Sequence, residues 1–190
     1  MGKPTETTNK HAPAADRARR ASGELLPPAA SARGPAPVHL WDPPYCGEMD
    51  LEIRADGSWL HEGRPIARPE MVRMFANILK FEDGRHYLVT PVEKLGIRVE
   101  DAPFVVTDVE ILPGRVEFVT NIGDRVTLDS DHPLDIAGSP DAPRPYVTVR
   151  GGLRALIDRK TYYRLADAAL SGPDGRLGLH SAGMFFPLEG

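Results

Sequence analysis

The sequence predicts an α+β protein built from two related strand–helix–strand halves. Three observations carry that prediction. Short apolar runs alternate with polar residues between turn dipeptides, the signature of half-buried strands. Two segments, one in each half, repeat their apolar residues at helical spacing. Sliding the chain on itself by 90 residues lays residues 66–76 onto 156–166, a strand leading into a helix in both places.

The elements follow in order. Residues 1–37 hold six Pro and nine Ala with few large apolar side chains, so they read as a disordered tail that cannot bury enough surface to offset its ordering entropy. Order is expected from Val38-His39-Leu40-Trp41 onward. The first half spans 38–100 and the second 101–190. Met49, Leu51 and Ile53 alternate with Glu48, Asp50 and Glu52 as a strand, Asp56-Gly57 turns, and residues 58–61 return. After a Glu62-Gly63 turn, Pro69 and Glu70 open a helix whose Val72, Phe75, Ala76 and Leu79 share one face. Asp83-Gly84 ends that segment, and 86–90 form a strand stopped by Pro91. A charged connector, 93–103, leads into a meander over 104–128 with turns at Pro113-Gly114 and 121–124. Residues 129–145 read as a Pro/Asp-rich loop. Strands at 146–150 and 153–157 flank Gly151-Gly152, Asp158 caps a helix over 159–170, and two short strands close the chain.

Charge narrows the function classes. The tail carries net +3, leaving −7 for residues 38–190. So acidic a body is a poor general partner for nucleic acid, whose phosphates need a basic surface. No apolar run approaches the roughly 20 residues that cross a bilayer, and no secretory stretch opens the chain, so a cytoplasmic location is the expectation. With one cysteine, Cys46, no internal disulfide can form. Nothing near Cys46 in the sequence would activate it, so it reads as a small buried or loop thiol and not as a nucleophile.

Three constellations could carry chemistry. The connector joins the halves, so its Glu93, Lys94, Glu100 and Asp101 are expected to line the seam between them, a favoured place for small molecules. Arg150, Arg154 and Arg159, with Arg164, surround Gly151-Gly152 and a helix start, a donor set suited to an anion. No GxxxxGK or GxGxxG accompanies them. Asp129, Asp131, His132 and Asp135 fall within seven residues but match neither an EF-hand nor HExxH, and Asp/Ser/Pro is ordinary turn chemistry. The six histidines form no metal pair, and Ser181 sits in no GxSxG elbow. Tyr162-Tyr163 places one ring in the core at helical spacing.

The run Gly57-x-Trp59, Gly63-x-Pro65-Ile66-x-Arg68, Tyr87-x-x-Thr90-Pro91-Val92-Glu93-Lys94, Val99-Glu100-Asp101-Ala102-Pro103-Phe104 and Thr120-Asn121 resembles a bacterial family known as domain of unknown function 1285 (DUF1285). Later matches are His132-Pro133, Pro145-Tyr146-x-x-Val149-Arg150, Leu153, Ala155, Arg159 and Tyr162-Tyr163. The likeness covers residues 40–190. It implies a duplicated α+β fold with a pleckstrin-homology-like second half, a site at the domain interface, a nucleotide-like ligand and a signalling role. It supplies no catalytic residues.

The expected function is therefore a non-enzymatic sensor that binds a small anionic ligand, nucleotide-like by the resemblance, in the interdomain seam. Lys94, Arg150, Arg154 and Arg159 would meet the anion, while Glu93, Glu100, Asp101 and Asn121 would set specificity. No cofactor and no metal is expected. The alternatives are a metal-assisted hydrolase using the 129–135 loop and a protein-interaction adaptor.

Overall fold

Each half folds as two three-stranded meanders laid side by side. The structure, a computed structural model, describes residues 34–139, 142–173 and 175–188. The tail expected over 1–37 lies outside these up to residue 33. The first sheet contains β1 (Tyr45–Ile53), β2 (Trp59–His61), β3 (Arg64–Pro65), β4 (Leu79–Glu82), β5 (Arg85–Val89) and β6 (Lys94–Val99), in the order β3-β2-β1-β6-β5-β4. The second contains β7 (Phe104–Leu112), β8 (Arg115–Thr120), β9 (Arg125–Thr127), β10 (Leu134–Ser139), β11 (Ala142–Arg150) and β12 (Leu153–Ile157), in the order β10-β11-β12-β7-β8-β9. Reversed, the two orders match strand for strand. In each, the first and last strands form a central parallel pair. Helix α1 (Pro69–Asn77) joins β3 to β4, and α2 (Arg159–Asp167) follows β12. A small sheet of β13 (Leu170–Ser171), β14 (Leu177–Ser181) and β15 (Met184–Pro187) closes the chain. Among the described residues no helix is long and apolar enough to cross a membrane.

The α+β class and the two similar halves stand, but the halves correspond in a different register from the one expected. Beyond each parallel pair an equivalent backbone bond forms, Glu100 N–H to Ile53 C=O at 2.9 Å and Asp158 N–H to Val106 C=O at 3.2 Å. These place Ile53 on Val106 and Glu100 on Asp158, offsets of 53 and 58 residues rather than 90. The 90-residue match had aligned α1 with α2, which occupy different points in the strand order. The meander β7–β9 is accordingly the counterpart of β1–β3, not an addition to the second half.

Three local expectations are also corrected. Leu79 is not helical: α1 stops at Asn77, and Leu79 pairs with Leu88 in a hairpin whose Asp83 and Gly84 both have positive φ, as a type I′ turn requires. The charged connector is not a linker over most of its length; 94–99 form β6, at the middle of the first sheet. The 129–145 loop contains the edge strand β10 and the start of β11. Elsewhere local chemistry held. Asp158 Oδ1 accepts from Thr161 N–H at 2.7 Å as the α2 cap, worth about 1 kcal/mol.

Both halves bury their apolar faces in one continuous core. Leu51, Ile53 and Leu79 join Phe104, Val106, Phe118 and Leu165, all at or near zero exposure. Phe104 is the first residue of β7 and is wholly buried. Phe104→Ala should cost about 3–5 kcal/mol. Because the core is shared, denaturant unfolding should remain a single transition for wild type and for Leu51→Ala, whether followed by fluorescence or circular dichroism. Two separated transitions would show independent cores instead.

Candidate functional site

The halves meet where the turn 120–124 of the second reaches the turn 54–58 of the first. Asn121 makes the junction. Its backbone N–H donates to Val105 C=O at 2.8 Å, and its Oδ1 accepts from Val105 N–H at 3.1 Å. Its Nδ2 then donates across the seam to Gly57 C=O at 3.2 Å. Gly57 has φ +83°, and a Cβ there would stand 2.8 Å from Asn121 Nδ2 and 2.9 Å from Val105 Cγ2. Only glycine allows both the conformation and the approach. Arg150 reinforces the junction. Its guanidinium lies over the Phe104 ring at 5.1 Å, pairs with Asp124, and donates from Nη2 to Ala76 C=O at 2.9 Å in the last turn of α1. That carbonyl is at the negative end of the helix, where a cation is favoured.

A cavity of about 240 Å³ opens beside this junction. Trp59, Pro65, Ile66, Val72 and Arg73 line it from the first half, Asn121 and Ile122 from the second. Trp59 is only 3% exposed, and its indole N–H has no partner among the described residues. A buried donor left unpaired costs roughly 1–3 kcal/mol. No carboxylate among the described residues pairs with Arg73, which projects from α1. Asn121 Nδ2 keeps one hydrogen unused. Ser58 gives its hydroxyl hydrogen to Asp56 Oδ1 at 2.6 Å, so it can only accept. The lining is thus apolar, with spare capacity mainly in donors.

A second seam contact joins the β4–β5 hairpin to the β11–β12 hairpin. The Phe81 ring lies tilted against His86, centroids 4.9 Å apart, and fills the space beside Gly152, where a Cβ would meet Phe81 Cδ1 at 3.1 Å. Burial, with the nearby Arg154 charge, pushes the His86 imidazole down to about 4.

The structure disperses most of the residues expected at the site. Asn121 and Arg150 do come together, through the 120–124 turn. Asp101 accepts from Arg144 Nη2 at 2.7 Å and from the Tyr146 hydroxyl at 2.8 Å. Arg154 lies over that same Tyr146 ring at 4.6 Å and reaches Asp135 at 3.3 Å. Lys94 is elsewhere, paired with Glu82 at 2.6 Å and seated 5.0 Å from the Tyr87 ring. Bonds from Lys80 and Lys94 hold the Glu82 carboxyl down to about 2. Glu93 is half-buried, its backbone N–H bonded to Thr90 Oγ1 at 3.1 Å. Arg159 is exposed on α2, 5.9 Å from the Tyr163 ring.

Glu100 borders an open groove of about 430 Å³ on the first sheet. Its carboxylate accepts from Ala55 N–H at 2.9 Å, while Arg85 pairs with Glu48 at 2.6 Å and Arg98 with Glu52 at 3.0 Å. Those charges answer one another, which leaves little to hold a ligand. In the 129–135 loop, Asp129 Oδ1 accepts from the backbone of Asp131 and His132, both at 2.9 Å, as a turn does. Among the described residues no three His, Cys, Asp or Glu side chains cluster as metal ligands. Cys46, expected as a buried or loop thiol, is instead an exposed free thiol on β1. Sequence reasoning missed Arg73 and read Trp59 only as a strand residue; the Gly57-x-Trp59 spacing marked the tryptophan but not its unpaired N–H, and nothing marked Arg73.

His86 yields a pH prediction. In the unfolded chain its imidazole titrates near 6.5, and in the fold near 4, so unfolding takes up a proton between those values. Its contribution is intact above about pH 6.5 and is lost as pH falls toward 4. Thermal denaturation of wild type minus His86→Gln should show that decline from pH 6.5 to 5, above the range of most carboxylates. A difference that is flat across this range would contradict the burial of a neutral His86.

Comparison with known proteins follows the same division into halves. Residues 36–102 match the model of the DUF1285 N-terminal domain, and 103–188 that of the DUF1285 C-terminal domain. A DUF1285 family protein of Silicibacter pomeroyi DSS-3, known from its crystal structure, is 52% identical, with 83% of this chain and 89% of that chain covered at a TM-score of 0.77. Another, from Shewanella baltica OS155, is 28% identical over 63% of this chain and 91% of that one, with a TM-score of 0.53. No curated protein matches. The chain belongs to the DUF1285 family.

Proposed function

We propose that this protein is a non-enzymatic binding module whose small anionic ligand sits in the cavity between the halves. One observation carries the reading: Arg73 and Asn121, drawn from opposite halves, bring unused donors to one apolar cavity walled by Trp59. Of the cations first expected to meet the anion, Lys94, Arg150 and Arg154 are engaged with carboxylates and Arg159 does not line the cavity, so Arg73 takes that role. The shared core makes the seam a preformed site, which lowers the ordering cost of binding. A signalling output would then be read from the surface around the seam, without a hinge. The reading keeps domains at 38–100 and 101–190, and a pleckstrin-homology-like second half, supported by a six-stranded sheet followed by α2. It also keeps a cytoplasmic setting, where a lone exposed thiol stays reduced.

A thermal-shift screen against anionic metabolites tests the proposal. At least one should raise the melting temperature of wild type, and Arg73→Gln, a change at an exposed helix position, should remove most of that rise without altering the unliganded melting temperature. A stabilising anion that is indifferent to Arg73→Gln would place the ligand elsewhere.

A further inference from the structure

The seam cavity, taken as the ligand site proposed above, also carries information about what the ligand is. We infer that it takes a small carboxylate with an apolar body, and not a nucleotide.

Three features point this way. First, the wall is dominated by Trp59, Pro65, Ile66, Val72 and Ile122, and at about 240 Å³ the space lies below the ~300 Å³ at which sites for drug-sized ligands begin. A base, a ribose and a phosphate would leave much of their polar surface without partners.

Second, the anion-binding equipment suits one negative charge. Arg73 offers a planar fork that matches a carboxylate with two parallel hydrogen bonds. The start of α1 borders the cavity but is poor at holding phosphate, because phosphate sites use free N–H groups in the first turn. Pro69 has no N–H, and those of Met71 and Val72 are already directed to Arg68 C=O at 3.1 and 3.3 Å. Glu70 adds a negative charge to the same turn, which opposes a dianion.

Third, the spare polar groups favour an acceptor. Arg73 and the second Asn121 Nδ2 hydrogen can give hydrogen bonds, whereas Ser58 is the one lining side chain with room to receive. A carboxylate has acceptors only. The exocyclic amine and ribose hydroxyls of a nucleotide would need more side-chain acceptors than Ser58 alone offers.

The test uses the full chain labelled with ¹⁵N and follows the Trp59 indole N–H resonance, with Trp41 as internal reference because it does not line the cavity. The probes are octanoate, 3-phenylpropionate, their primary amides, and AMP. Octanoate or phenylpropionate should move the Trp59 signal and leave Trp41 in place, and the amides should bind about tenfold more weakly, the size of one charge-assisted hydrogen bond. In Arg73→Gln the acid and amide should bind equally. If AMP moves Trp59 and the carboxylates do not, the carboxylate inference is overturned and the seam site survives. If no probe moves Trp59, the inference and the seam reading fall together.

Discussion

The side-chain amide of Asn121 is the interaction on which the arrangement of the two halves depends. It completes the β7 backbone at Val105 and then crosses to the carbonyl of Gly57, so one residue satisfies backbone groups in both halves. An amide has one acceptor and one donating nitrogen, and here each is directed to a fixed main-chain partner. Arg150 repeats the pattern on the other side of the turn, linking Asp124 to the end of α1 over the face of Phe104. Apolar burial makes the halves cohere, but it is not directional. These polar bridges set the register in which they meet.

That register explains where spare binding capacity lies. Charges on the outer surface of the first sheet are matched across strands, as with Arg85 and Glu48 or Arg98 and Glu52. In the second sheet the buried Glu117 is held ionised chiefly by its bond from Arg125, with Arg115 beside it. Against this background the seam cavity differs. The 120–124 turn holds the halves close enough to enclose Trp59 but places no acceptor against its N–H.

Much of the fold was legible in the sequence because it is local. Asp56-Gly57, Glu62-Gly63, Pro113-Gly114 and Gly151-Gly152 all turn the chain as their dipeptides require, and Asp158 caps α2. The failures share a physical cause. β6 carries Lys94 and Arg98 in a central strand because Glu82 and Glu52 on other strands neutralise them, and no spacing within 94–99 announces those partners. β10 has the Asp/Gly/Ser composition of a loop and is an edge strand, formed through its pairing with β11. Leu79 fits helical spacing equally well, but the Asp83-Gly84 turn claims it for a hairpin. The site was legible only as a location. Asn121 and Arg150, which meet at the seam, were singled out because a turn and a Gly-Gly hairpin mark them. Arg73 and the unpaired Trp59 were not, since a missing partner is a property of the folded state alone.

The account's central claim is that the preformed cavity between Trp59, Arg73 and Asn121 is where this protein binds. A crystal structure of the full chain grown with 3-phenylpropionate tests it most directly. The account predicts the carboxylate on the Arg73 guanidinium, the ring against Ile66 and Ile122, and the Asn121–Gly57 bridge unbroken. A ligand bound only in the open groove of the first sheet, or a seam that must come apart to admit it, would contradict it.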